Sequence, residues 1–190
     1  MKLGRASPSS ASRCPRAALP LRICSRCRST PYRIELTDGA LTVSPSASRW
    51  HQSLAGMLIS RLSSARANGY TINQAVDVQL SEQTTGIPDV LIVRAGVSSE
   101  RRLYLADDLA AAIEIESPTS GANDRRLKPI PYADYKIPYY WRIELEPELI
   151  AVVHRLEDGA YVEVSRGPRI DVTEPFPFSV DLADLIDPDA

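Results

Sequence analysis

The chain has no cysteine where a fold could use one: Cys14, Cys24 and Cys27, its only three, all fall within the first thirty residues. The patterned remainder therefore holds no disulfide. Cys24 and Cys27 have the spacing of half a zinc knuckle, but no second Cys or His pair follows at ligand distance, which argues against zinc there. Also missing is any run of about 18 apolar residues, the length a membrane-spanning helix requires. A soluble cytoplasmic protein without a membrane partner is the expectation. No internal repeat is present.

The first thirty residues lack acid altogether and carry seven Lys or Arg side chains without hydrophobic periodicity. That composition reads as a disordered N-terminal extension over residues 1–30, although a transit peptide is also arginine-rich and acid-free. Residues 31–190 carry fifteen basic and 24 acidic side chains, a net charge of −9. This length suits one domain. The acidic balance counts against nucleic-acid binding over the whole surface, so any such function needs a local basic cluster. Arg94, Arg101, Arg102, Arg125, Arg126, Lys128 and Lys136 supply one.

Two short runs, Tyr32 to Leu36 and Ala40 to Val43, flank Thr37-Asp38-Gly39 and predict a β-hairpin. Ser48 precedes Trp50, Leu54, Met57, Leu58, Leu62 and Ala65 at helical spacing, and Asn68-Gly69 ends the pattern. An amphipathic helix of about five turns follows from it. Thr71 to Leu80 alternates as one half-covered strand, with a loop at Thr84-Thr85-Gly86. Val90 to Val93 and Leu109 to Ile115 are continuous apolar runs, as in central strands covered on both faces. Asn123 or Asp124 could cap a helix reaching Tyr135, but Pro129 and Pro131 place its regular part after Lys128. Tyr139 to Leu145, Leu149 to Leu156 and Ala160 to Val164 predict a C-terminal β-meander, and Asp181 to Ile186 a short closing helix.

The apolar runs carry acids. Glu114 and Glu116 stand two apart and share a face of their strand, while Ile113 and Ile115 face the other way. An ionised carboxylate enters an apolar strand only if it reaches solvent, a cation or a metal. If the strand after Pro88 lies alongside, Asp89 can converge with Glu114 on Mg²⁺ or Mn²⁺, which favour hard oxygen ligands. Lys128 would then steady the attacking water or the phosphate, and Arg125 and Arg126 would contact neighbouring phosphates.

Pro88-Asp89, Glu114-Ile115-Glu116-Ser117-Pro118, Asp124, Lys128, Tyr132 and Ile137-Pro138-Tyr139-Tyr140-Trp141 together resemble the Uma-two family. That family comprises restriction-endonuclease-like bacterial proteins of the PD-(D/E)XK nuclease superfamily. The likeness extends to Tyr32 through Gly39, to Ser44-Pro45 with His51, and to Phe178 through Leu182, spanning about residues 31–187. It implies an α/β (α+β) fold with a central mixed β-sheet flanked by helices, and Mg²⁺-dependent cleavage of DNA. By position, Asp89 matches the superfamily aspartate and Glu114 its glutamate. Glu116 stands where the superfamily has lysine, and Lys128 matches a lysine found further along in Uma-two sequences. Lys136 replaces a glycine usual before the Ile-Pro step.

Plainer readings compete. Glu114 and Glu116 could line an exposed strand edge, Asp89 could simply start a strand, and Lys128 could be surface charge. His51, one residue beyond Trp50, is expected on the exposed helix flank, with an auxiliary role at the site as the alternative. Glu35 is expected on the polar side of the hairpin, with a place near the metal as its alternative. Tyr132, Tyr135, Tyr139, Tyr140 and Trp141 read as packing residues. The rivals to an enzyme are a nuclease fold that binds nucleic acid without turnover, and a homodimer joined through the C-terminal meander.

Overall fold

The hairpin forms as expected: β1 (Tyr32–Thr37) pairs antiparallel with β2 (Ala40–Pro45). Asp38 and Gly39 turn the chain at φ 49° and 79°, the left-handed pair that a tight hairpin needs. These strands open a computed structural model that describes residues 32–116 and 129–186.

Ser48 caps α1 (Arg49–Arg61), its hydroxyl accepting the His51 backbone N–H at 3.2 Å. Leu54, Ala55 and Leu58 form the buried stripe. The five α-turns expected are shortened, because Leu62–Asn68 winds as a 3₁₀ segment. Its buried residues, Leu62 and Ala65, are three apart, which is the 3₁₀ repeat. Gly69 at φ 82° then ends the segment.

The single strand expected over Thr71 to Leu80 is broken at Ala75, which turns at φ 50°. β3 (Tyr70–Gln74) stays with the main sheet. β4 (Val78–Gln79) leaves it for a small sheet with β5 (Thr85–Gly86) and β7 (Tyr104–Leu105). The loop expected at Thr84 to Gly86 thus contributes a strand.

The main sheet contains β3, β6 (Val90–Arg94), β8 (Leu109–Ile115), β9 (Tyr139–Glu144), β10 (Ile150–Glu157) and β11 (Ala160–Gly167). Its spatial order is β11-β10-β9-β8-β6-β3. Only β8 and β9 run parallel, so the sheet is mixed. The path between those two includes α2 (Pro129–Asp134), which opens on a proline and lies after Lys128 as expected. A hairpin of β12 (Arg169–Val172) and β13 (Phe178–Asp181) was not expected, and the closing turn, Leu182–Leu185, is 3₁₀.

Alternation splits the core. Val90, Ile92, Ala111, Ile113, Trp141 and Ile143 pack beneath α1, while Leu91, Val93, Ala112 and Tyr140 pack with Tyr132 and Ile137 on the opposite face. Each large side chain fully buried this way contributes about 1.5–3 kcal/mol. The central strands β6 and β8 carry that burial along nearly their whole length. Among the described residues no helix is long and apolar enough to cross a membrane.

Candidate active site

Asp89 stands one residue before β6, and β6 pairs with β8 so that Val90 lies opposite Ile113. Continuing that register by one residue brings Asp89 alongside Glu114. Both carboxylates are buried, at 4% and 3% exposure, which rules out an exposed strand edge for either.

Asp89 is held from three sides. Its Oδ2 accepts the Ile115 backbone N–H at 2.9 Å and a bond from His51 Nε2 at 3.1 Å, while Oδ1 accepts from Arg33 Nη1 at 3.0 Å. His51 Nε2 also lies 3.0 Å from the Ile115 carbonyl oxygen. Both neighbours of that nitrogen are acceptors, so Nε2 carries the proton. Burial pushes the Asp89 pKa up, but the His51 hydrogen bond and the Arg33 charge outweigh it and hold the carboxyl below its usual range. His51 shows the reciprocal effect: burial lowers its pKa, its bond to Asp89 raises it, and the net shift is upward.

This corrects two expectations. His51 is not on an exposed flank; it is 6% exposed and reaches Asp89 from the first turn of α1. Glu35 does not face away from the site, because its Oε1 accepts the Ile87 backbone N–H at 3.0 Å, two residues before Asp89. The hairpin is turned opposite to the usual sense. Leu41 and Val43, paired across from Leu36 and Ile34, are each 58% exposed, while the Arg33 and Glu35 face turns inward. Apolar alternation therefore pointed the wrong way, and the Arg33-x-Glu35 charge pair was the signal available. Burial opposes the charge on Arg33, yet Glu114, Asp89 and Glu35 together raise its pKa.

Glu114 Oε1 accepts the Tyr132 hydroxyl of α2 at 2.8 Å. Burial first, and then the Glu114 charge, push the Tyr132 pKa far up, so its hydroxyl stays a donor. Tyr132 is thus core packing, as read from the sequence, and also a direct partner of the site. Gly86 makes room for it: a Cβ at that position would sit 3.1 Å from the ring and 3.2 Å from the hydroxyl oxygen. Glu116 shares the Glu114 face, where Arg142 of β9 approaches it at 3.3 Å and also bonds Glu144. Arg142 is the register partner of Glu114. Neither Arg33 nor Arg142 was singled out in advance, because each acquires its role only through pairing between strands.

The structure thus brings together Asp89, Glu114, Glu35 and His51, and gives Glu116 an arginine partner. Lys128, Arg125 and Arg126 lie outside the described residues. Among the described residues, no three His, Cys, Asp or Glu side chains are grouped to hold a metal ion. Among the described residues, Arg33 and the hydrogen-bonded His51 contact Asp89, and Arg142 is the register partner of Glu114.

No curated protein matches the chain. A solved structure from Anabaena variabilis, titled as a putative nuclease belonging to DUF820, superposes with a TM-score of 0.68 at 14% identity. It covers 88% of this chain and 97% of its own. At that identity the likeness shows a common fold and nothing beyond it. The model of the Uma2 family, described as "Putative restriction endonuclease", matches residues 19–184, and the chain belongs to that family.

Proposed function

We propose that the protein is a Mg²⁺- or Mn²⁺-dependent DNA endonuclease in which Asp89 and Glu114 are the metal-binding carboxylates. Glu116 assists, and Lys128 steadies the attacking water or the scissile phosphate. The observation that carries this reading is the pair of buried acids that the pairing of central strands β6 and β8 sets side by side in a Uma2 chain. Their oxygen donors fit a hard divalent ion. The local charge fits too, since Arg33 bonds Asp89 through one nitrogen, while its Nε and Nη2 are buried without a hydrogen-bond partner among the described residues. The corner attracts positive charge without being shaped as a two-pronged arginine clamp.

When bound, a divalent ion in such a setting lowers the pKa of a water and offsets charge on the phosphodiester. The chain's own residues prepare that setting. Ile115 N–H and His51 keep Asp89 ionised and oriented. Tyr132 fixes one oxygen of Glu114, so the second carboxylate cannot rotate freely. Arg142 offsets the charge of Glu116 and limits the repulsion among neighbouring acids. Arg125 and Arg126 contact phosphates flanking the cleaved bond.

A second reading has one observation in its favour. Glu116, at the position of the superfamily lysine, pairs with Arg142, which suits a nuclease fold that binds nucleic acid without turnover. Incubating supercoiled plasmid with the purified full chain and Mg²⁺ or Mn²⁺ separates the two. Nicking or linearisation that disappears in Asp89→Ala and Glu114→Ala supports the enzyme. Retained DNA binding with intact plasmid in both metals selects the binding module.

A further inference from the structure

Arg33 occupies the position a metal ion would contest. Its Nη1 lies 3.0 Å from Asp89 Oδ1, and the charges of Glu114, Asp89 and Glu35 all act on it. We propose that Arg33 is the resident counter-cation of the acid pair, held there until a divalent ion displaces it, so that the β1–β2 hairpin sets how much divalent ion the site requires. This rests on the metal-site reading given above.

Three observations favour displacement over a permanent lock. First, the contact is narrow. A guanidinium fitted to a carboxylate uses two parallel N–H groups, whereas Arg33 gives Asp89 one, and its Nε and Nη2 are buried without hydrogen-bond partners among the described residues. Charge holds it more than geometry does.

Second, Arg33 is carried by a hairpin that is a separate two-stranded sheet, not part of the six-stranded one. Among the described residues its ties beyond Arg33 run mainly to the segment at residues 83–87. They are Gly39 N–H to the Gln83 carbonyl, Asp38 N–H to the Thr84 hydroxyl, Leu36 N–H to the Thr85 hydroxyl, and Ile87 N–H to Glu35. The arginine can therefore withdraw without breaking a bond between central strands. Third, Leu41 and Val43 are each 58% exposed on the far face, so among the described residues little packing there clamps the hairpin inward.

Two cations against the same carboxylates repel one another and compete for the Asp89 Oδ1 lone pairs that Arg33 uses. Binding of one opposes binding of the other, and the coupling is reciprocal. Mn²⁺ titration of the full chain by calorimetry, with thermal melts at rest and in Mn²⁺, tests the proposal. Arg33→Gln should lower the Mn²⁺ dissociation constant by about tenfold or more. Arg33→Lys, which keeps the charge, should stay within about threefold of the parent. The Mn²⁺-induced rise in melting temperature should be larger in Arg33→Gln than in the parent.

Equal or weaker Mn²⁺ binding by Arg33→Gln, with parent binding still abolished by Asp89→Asn, overturns the role of Arg33 and leaves the metal site standing. Parent binding unaffected by Asp89→Asn overturns the metal-site reading itself. Absence of Mn²⁺ binding in both parent and Arg33→Gln overturns both. If Arg33→Gln is unfolded at rest, recovery of a cooperative melt by Mn²⁺, absent from the Arg33→Gln/Asp89→Asn double variant, supports the proposal. Failure to recover refutes it.

Discussion

The Tyr132 hydroxyl donates to Glu114 Oε1 at 2.8 Å, joining the α2 turn to the central strand β8 within a site where both side chains are buried. Tyr132→Phe removes that donor and almost no volume. A hydrogen bond to a charged group contributes about 1.5–3 kcal/mol, so chemical denaturation should show a loss of that order with the fold retained. If Glu114 serves the proposed reaction, loosening it should also lower cleavage or metal affinity by roughly 10–100-fold, as loss of an orienting partner does. A Tyr132→Phe protein with unchanged stability and unchanged metal affinity would show that Glu114 is positioned by other groups.

Lys136 sits at φ 60°, left-handed backbone that an L side chain enters at a cost of about 1–2 kcal/mol. Its N–H donates to the Ala133 carbonyl at 3.0 Å where the chain leaves α2 for β9. This accounts for the glycine usual at that position in sequences the chain resembles. Lys136→Gly should stabilise by about 0.5–1 kcal/mol, since relief of strain exceeds the added freedom of the unfolded chain. Lys136→Val should destabilise by a larger amount. Paired urea melts check both.

How much was legible beforehand follows from where each signal resides. The paired central strands, the Ser48 cap, the Asp38-Gly39 turn and the meander announce themselves within a few residues of sequence, and all formed. The break at Ala75 did not, because alternation continues through it and only the departure of β4 into a second sheet requires the turn. At the site, Asp89 and Glu114 stood out as acids in apolar runs. Arg33, His51 and Arg142 look like ordinary surface residues until the hairpin, α1 and β9 carry them to those acids. A counter-charge supplied from a distant strand has no local period to reveal it.

The two histidines of the chain should titrate apart. In metal-free buffer, His51 is shifted above 6.5: burial opposes its charge, but the bond to Asp89 prevails. His154 is shifted below 6.5, chiefly by burial, which outweighs its bond to the Tyr140 carbonyl. The signs of their stability contributions follow. His154 adds stability that is present above 6.5 and lost as pH falls through its lowered pKa. His51 adds stability that is present below 6.5 and lost as pH rises through its raised pKa. Imidazole NMR resonances should give one titration on each side of 6.5, and Asp89→Asn should move only the upper one, downward. Two coincident curves would contradict the buried His51–Asp89 pair.

Glu116 and Arg142 make the last case, because the nuclease pattern that the sequence resembles has a lysine where this chain has Glu116. Reinstating it looks like a repair, yet Arg142 lies 3.3 Å away, and the two side chains are only 10% and 15% exposed. Glu116→Lys would set two cations together where solvent screens them little, and should cost about 3 kcal/mol, as breaking a buried pair does. Nuclease activity should not rise. The charge-reversed double variant, Glu116→Lys with Arg142→Glu, restores opposite signs at this pair but removes the cation that also bonds Glu144, so it should recover only part of that stability, a coupling that a double-mutant cycle reads directly. Plasmid cleavage by the same four proteins then separates two meanings of the substitution. If the double variant regains that part and cuts faster than the parent, Glu116 marks a weakened catalyst. If it regains that part and cuts no faster, the lysine's task is carried by another cation in this chain, and Glu116 with Arg142 is a structural tie between β8 and β9.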